Sequence, residues 1–325
     1  MTDGRTRVAM RPGRRRFVTA LAALGASPFA AAASSGGDAS SATRFDFSPQ
    51  QRGRPRAAKD AQAVQALGGY ALAKAGTLTV AVAPFAPPIA TYATDARTIV
   101  GADPDYAQLL ADALGLSLAL VTVAWPDWPL GLASGKYDAV ISNVGVTEAR
   151  KRKFDFTSYR QGLHAFYVRQ DSAIRAIGAP ADIAGLRIVT DSGTIQERIL
   201  IEWNRQNAAR GVKTASLLYF DDRASARLAL LSGRADAIFD PDAPLAFEAA
   251  TQGGIRKVGE INAGWPARAD VGVATRKDSG LAPVLTLATN GVIRAGQYRS
   301  SLARWGLLPE ALTQSQTNPP GLRDA

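Results

Sequence analysis

From Gly76 onward the apolar residues fall into two alternating rhythms. Leu78, Val80 and Val82 lie in a short apolar run, 78–82, with the composition of a buried strand, and Pro84-Phe85-Ala86-Pro87-Pro88 ends it. Tyr106, Leu109, Leu110, Ala113 and Leu114 then recur at i, i+3, i+4, i+7 and i+8. That is the spacing of one helix face, and Gly115 closes the predicted helix over 105–114. Further strands are predicted at 116–123, after the turn at Gly135 up to Ser142, and at 186–190, 216–219, 235–239 and 271–275; helices are predicted at 194–209, 222–231 and 279–295. Strands separated by helices of this length predict an α/β fold of mostly parallel sheets covered on both faces. Two separate runs of such units predict two lobes of about 100 residues each.

The pattern before Gly76 is different. Arg5, Arg7, Arg11, Arg14, Arg15 and Arg16 face only Asp3, and a short apolar run from Phe17 to Ala26 and a small-residue exit over 30–33 follow. A basic region, a short apolar region and small residues in that order predict an export signal over 1–33. Arg14-Arg15-Arg16-Phe17-Val18 fits the twin-arginine form of such signals. The alternative is a retained membrane anchor, for which this Ala-rich run, broken by Gly25 and Pro28, is short. Residues 34–75 predict a solvated linker carrying Arg52, Arg54 and Arg56, followed by a short Ala-rich helix near 57–67.

Composition narrows the chemistry. The 325 residues contain no Cys and one His, which excludes disulfides, thiolate metal sites, cysteine nucleophiles and lipid attachment through Cys. No cofactor or metal is expected. The formal charge of +10 invites a nucleic-acid reading, but +5 of it belongs to residues 1–33 and +3 to residues 34–75. The arm's arginines are not interleaved with aromatic residues, and the remainder is nearly neutral, so no nucleic-acid partner is expected.

One motif occurs twice. Leu-x-x-Gly-x-x-Asp-Ala stands at Leu132 to Ala139 and again at Leu230 to Ala237, each time a helix end feeding a buried strand. Open α/β sheets bind ligands at the carboxyl ends of their strands. Those ends are Ser142-Asn143-Val144-Gly145-Val146-Thr147-Glu148-Ala149-Arg150 and Phe239-Asp240-Pro241-Asp242-Ala243-Pro244.

With Gly-x-Leu-x-Val at the first strand, Phe154-Asp155-Phe156-Thr157-Ser158-Tyr159, Ser192-Gly193-Thr194 and Ala295-Gly296-Gln297-Tyr298, these segments make the sequence resemble the periplasmic solute-binding proteins of polar amino-acid ABC transporters, family 3. The resemblance runs from Gly76 to about Gly306. It implies a type II periplasmic-binding-protein fold, with lobe 1 from 76–162 plus 266–325, lobe 2 from 163–265 and a hinge of two crossing strands. It also implies a monomer outside the cytoplasm that holds an amino acid between its lobes and delivers it to a membrane permease.

A free amino acid has two ionic ends, and each must meet a partner if it is enclosed. Arg150 offers the fork that matches a carboxylate and stands where similar proteins place their carboxylate-binding arginine. The competing account makes it one of the solvated run Arg150-Lys151-Arg152-Lys153. Thr194, opening a helix, could add its hydroxyl and a backbone N–H, or serve only as a cap. Similar proteins hold the ammonium with an Asp at the position of Pro241, so the resemblance points to a displaced Asp242, or to Asp240. It also makes Ser142, Asn143 and Gly145 ligand-facing, with two hydroxyls fewer than usual, and Phe85 and Trp125 the aromatic walls. Trp128, Trp203 and Trp265 are expected to pack, and His164 to be structural. The second functional reading is a dehydratase of the prephenate or arogenate type on the same fold, with Glu148 or Glu197 as general acid.

Overall fold

The computed structural model describes residues 45–220 and 222–323. The expected export signal over 1–33, with its twin-arginine pair, and the first part of the expected linker lie outside the described residues.

The first described helix, α1 (Ala61–Leu67), is capped by Asp60, whose carboxylate accepts the N–H groups of Gln62 and Ala63. After β1 (Thr77–Val82) come a small ribbon of β2 (Thr91–Tyr92) and β3 (Ile99–Val100), then α2 (Ala102–Leu114), β4 (Ser117–Thr122), α3 (Trp128–Ala133), β5 (Ala139–Val140) and α4 (Glu148–Lys151). β6 (Phe154–Gln161) runs almost directly into β7 (Leu163–Arg169). Next are β8 (Arg187–Val189), α5 (Ile195–Ala209), β9 (Ser216–Leu218), α6 (Arg223–Leu231), β10 (Ala237–Pro241), α7 (Asp242–Gln252) and β11 (Ile255–Asn262). β12 (Asp270–Arg276), α8 (Leu281–Arg294) and α9 (Gln297–Arg304) follow.

The strands form two five-stranded sheets, in the orders β4-β1-β5-β12-β6 and β11-β7-β10-β8-β9. In each, three adjacent strands are parallel: β4, β1 and β5 in the first, β10, β8 and β9 in the second. β12 runs against both its neighbours, and so does β7. The expected mostly parallel sheets are therefore mixed. The reversed strand in each is the one that enters directly from the other sheet, so it needs no crossover helix. At these crossings the Ala263 N–H donates to the Gly162 carbonyl at 2.9 Å, and the Gly162 N–H to that of Ala269 at 3.3 Å.

Both faces of each sheet are covered, which is why β1 is buried along its whole length. Leu78, Val80 and Val82 pack with Tyr106, Leu110, Leu285 and Trp305, and Val140 on the other face packs with Trp128, Phe154 and Phe156. In the second sheet Phe166 and Phe239 stack at 4.1 Å over Trp203, while Ile238, Leu230 and Leu245 fill the opposite side.

Two segments tie the halves together from outside. Residues 45–60, expected as a solvated arm, are packed: Arg54 pairs with the buried Asp105 at 2.6 Å and Arg56 with Asp112 at 2.6 Å. Phe45 stacks on Trp305 at 6.0 Å and, with Phe47, meets Phe247 of α7 at 5.2 and 5.9 Å. After α9, the tail lies along β6, where the Phe156 N–H donates to Asn318 at 2.8 Å. The tail then pairs Leu322 with Thr147 and places the Leu322 side chain in the second sheet's core.

Gly101, the N-cap of α2, has φ +138°, and a Cβ there would lie 2.3 Å from the Ile89 carbonyl oxygen. Gly101→Ala is expected to lower unfolding free energy by about 2 kcal/mol or more, read from the urea midpoint.

Candidate ligand-binding cleft

A cavity of about 480 Å³ opens between the two sheets at the carboxyl ends of β1, β5, β8 and β10. One wall comes from Ala83, Phe85, Trp125, Ser142, Asn143, Gly145 and Arg150, the floor from Gly162, Leu163 and His164 at the crossing. The facing wall holds Thr190, Asp191, Thr194, Ile195, Gln196, Asp222, Arg223, Asp240, Pro241 and Glu248.

The loop after β5 is shaped by buried polar partners. The Ser142 hydroxyl oxygen accepts the Ala83 N–H at 2.8 Å, joining the β1 and β5 loops. Asn143 takes a left-handed conformation (φ +52°) and donates its N–H to Asp103 at 2.8 Å. Its amide oxygen accepts from Arg160. Arg160 also bonds Glu310 and lies 3.9 Å from Asp103, itself held by the Tyr159 hydroxyl at 2.6 Å. Asn143 thus turns its side chain into this network and leaves backbone toward the cavity. A Cβ at Gly145 would stand 2.2 Å from the Ile195 Cδ1 of the opposite wall, so a side chain there would push the end of Ile195 aside.

Arg150 sits in the last turn of α4, capped by the Thr147 hydroxyl. Its guanidinium donates to the Gly145 carbonyl at 2.9 Å and to that of Gly193, across the cleft, at 3.5 Å. It faces the rings of Trp125 and Trp128 at 5.5 and 5.8 Å. No carboxylate among the described residues pairs with it, and three of its five N–H groups have no partner there. Burial, with the nearby charge of Arg198, brings the guanidinium down to about 10, still protonated at neutral pH. The solvated-run account of Arg150 fails because its side chain turns inward.

Thr194 caps α5: its hydroxyl donates to the Asp191 carbonyl at 2.5 Å and accepts the Glu197 N–H at 3.3 Å. The helix's positive end therefore faces the cavity, with the hydroxyl engaged. The two Asp residues expected at the ammonium separate. Asp242 lies outside the cavity lining, held by the Tyr167 hydroxyl at 3.0 Å and by Lys257 at 2.9 Å. Asp240 lines the cavity and is bound by Gln196 at 2.8 Å and Arg223 at 2.6 Å. Glu248 is shared by Arg223 and Arg227. Asp191, Arg223, Gln196 and Ile195 carried no sequence signal as lining residues, since only the fold brings the β8 loop and α6 together. His164 is buried, and burial together with Arg160 pushes its imidazole down to about 3, so it is neutral.

The two glutamates considered as general acids are occupied elsewhere. Glu197 accepts the Gly193 N–H at 2.7 Å and the Tyr219 hydroxyl at 2.8 Å, and Glu148 accepts the Gly321 N–H at 2.9 Å. Neither lines the cavity. What remains is a cleft with Arg150 on one wall facing a wall that carries four carboxylates and two arginines.

The chain belongs to the bacterial extracellular solute-binding proteins, family 3, whose model matches residues 78–307. The type II periplasmic-binding-protein fold follows with it, and the relatives matched over most of their length are amino-acid-binding proteins. It is 29% identical to the arginine-binding protein ArgT of Corynebacterium glutamicum over 264 residues, which is 78% of this chain and 83% of ArgT. It is 31% identical to the L-cystine-binding protein TcyJ of Escherichia coli over 205 residues, covering 62% of this chain and 71% of TcyJ. An ancestral arginine-binding protein solved with arginine superposes with a TM-score of 0.61 at 26% identity, covering 71% of this chain and 98% of that one. A cyclohexadienyl dehydratase of Pseudomonas aeruginosa matches at 25% over 148 residues, 45% of this chain and 52% of the enzyme.

Burial pushes the Asp103 and Glu310 carboxyls above the usual carboxylate range, against the pull of Arg160. Arg160→Met leaves both without a countercharge and is expected to cost about 3–5 kcal/mol in urea unfolding at pH 7.5. Groups whose folded-state pKa is raised destabilise the fold as pH rises through it, so the deficit should shrink at pH 5.

Proposed function

We propose that this cleft captures a free amino acid outside the cytoplasm and hands it to the permease of an ABC transporter. The observation that supports this reading is Arg150: a guanidinium that lines the cleft, with three unpartnered N–H groups and no acidic partner among the described residues, opposite a carboxylate-bearing wall. An α-amino acid supplies the missing anion at one end and a cation at the other. Trp125 and Phe85 provide apolar surface for its side chain.

Binding is coupled to closure of the lobes. Arg150 touches Gly145 on its own wall and Gly193 on the other, so only the closed form completes its set of partners. The ligand shifts the population toward that form. The protein works as a monomer, is exported to the periplasm by its twin-arginine leader and has no nucleic-acid partner. An affinity near micromolar, about −8 kcal/mol, suits a ligand with two neutralised ends.

Titration calorimetry against the twenty amino acids, citrulline, ornithine, cystine and simple organic acids tests the reading. At least one amino acid should bind, and Arg150→Ala should weaken it by 100-fold or more. No heat from any of them, or unchanged binding in Arg150→Ala, overturns the proposal.

A further inference from the structure

Four carboxylates line the acidic wall of the cavity: Asp191, Asp222, Asp240 and Glu248. Asp240 and Glu248 are matched by two arginines, Arg223 bridging both and Arg227 holding Glu248. Asp222 is spent as the N-cap of α6, accepting the N–H and the hydroxyl of Ser225, each at 2.8 Å. Asp191 alone of the four has no hydrogen bond or ion pair to its carboxylate among the described residues, although its own backbone carbonyl is pinned by Thr194. Across the cleft Arg150 is the cation with no carboxylate paired to it among the described residues. The two cavity groups there without a bonded ionic partner are thus one guanidinium and one carboxylate, Arg223 acting on Asp191 only at longer range.

They are also held close to each other. Gly193, whose carbonyl meets Arg150, is two residues on from Asp191, at most about 7 Å of chain. A carboxylate and an ammonium joined through one Cα, each hydrogen-bonded to the protein at about 3 Å, bridge a guanidinium–carboxylate gap of roughly that size.

We infer that Asp191 is the residue that receives the ammonium group of the bound amino acid, in place of Asp240 or Asp242. The inference rests on the amino-acid reading of the cleft. Asp240 acts as a positioning residue: its charge is neutralised by Arg223, and through Gln196 it steadies the start of α5. Asp191 determines which ligands are accepted, by requiring a cationic nitrogen beside the carboxylate.

The assignment carries a pH signature. The groups that face Asp191 are Asp240 on β10, Asp222 and Arg223 at the start of α6, the neutral His164 on β7, and Arg150 on the opposite wall. Solvent reaches Asp191, but the packed wall and the like charge of Asp240 push its carboxyl up to about 6, against Arg223. An ammonium partner favours the ionised form, so binding should weaken as pH falls through 6, by up to tenfold per pH unit.

The experiment measures affinity by calorimetry between pH 5 and 8, using the tightest-binding member of the amino-acid panel and its deaminated analogue. Wild-type protein should prefer the amino acid to the analogue by at least tenfold at pH 7.5 and lose affinity below pH 6. Asp191→Asn, with an unchanged circular dichroism spectrum, should bind the amino acid at least tenfold more weakly, discriminate little against the analogue and show a flat pH profile. In Asp240→Asn the preference should persist and the fall should move to lower pH. The assignment is overturned if Asp191→Asn keeps the preference and the profile, or if Asp240→Asn abolishes both. Failure of wild-type protein to bind any panel member removes the amino-acid reading itself, and this assignment with it.

Discussion

Arg160 is the group on which the geometry of the cleft depends. It is fully enclosed, yet it reaches four separate parts of the chain: β6, where it resides, α2 through Asp103, the β5 loop through Asn143, and the tail through Glu310. Each partner is expensive to bury alone, and together they satisfy one another. The left-handed turn at Asn143 follows from this network, because both its N–H and its amide oxygen are claimed from below. Two residues past that turn, the Gly145 carbonyl accepts from the Arg150 guanidinium. The cavity-lining guanidinium of Arg150 is therefore linked, through the β5 loop, to a second guanidinium buried beneath the cavity wall.

Much of the fold could be read along the sequence. The apolar rhythm located β1, α2, β4, α5, α6 and α8 because each buries one face or both against a neighbour of the same sheet. β11 went unread: its alternation, buried at Ile255, Val258 and Ile261, is interrupted by a bulge that breaks the period of two. β6 and β7 were visible as motif and crossing rather than as long sheet strands. Their reversed orientation relative to the parallel core depends on where the chain changes sheets, which no local pattern encodes.

The site was legible in part. Arg150, Phe85, Trp125 and Asp240 line the cavity as the motifs suggested, because strand ends in an open α/β sheet converge on the cleft. Ser142, Asn143 and Thr194 line it too, each with a side-chain oxygen bonded within the protein. Asp242 points elsewhere because it opens α7 on the far side of Pro241, where Tyr167 and Lys257 are waiting. Asp191 was silent in the sequence, since a single Asp in a Thr-Asp-Ser-Gly turn resembles ordinary turn chemistry.

The aromatic packing of Phe45 and Phe47 has a meaning for where this protein ends as a physical object. The family's shared region begins at residue 78, but Phe45 covers Trp305 and both rings reach Phe247, while Arg54 neutralises Asp105 inside α2. The segment ahead of the common region is thus a structural member of both halves, neither a leash nor an ornament. The packed unit therefore extends ahead of the region that the family model matches. A boundary drawn at residue 78 would cut through an aromatic cluster and leave a buried carboxylate short of one of its partners.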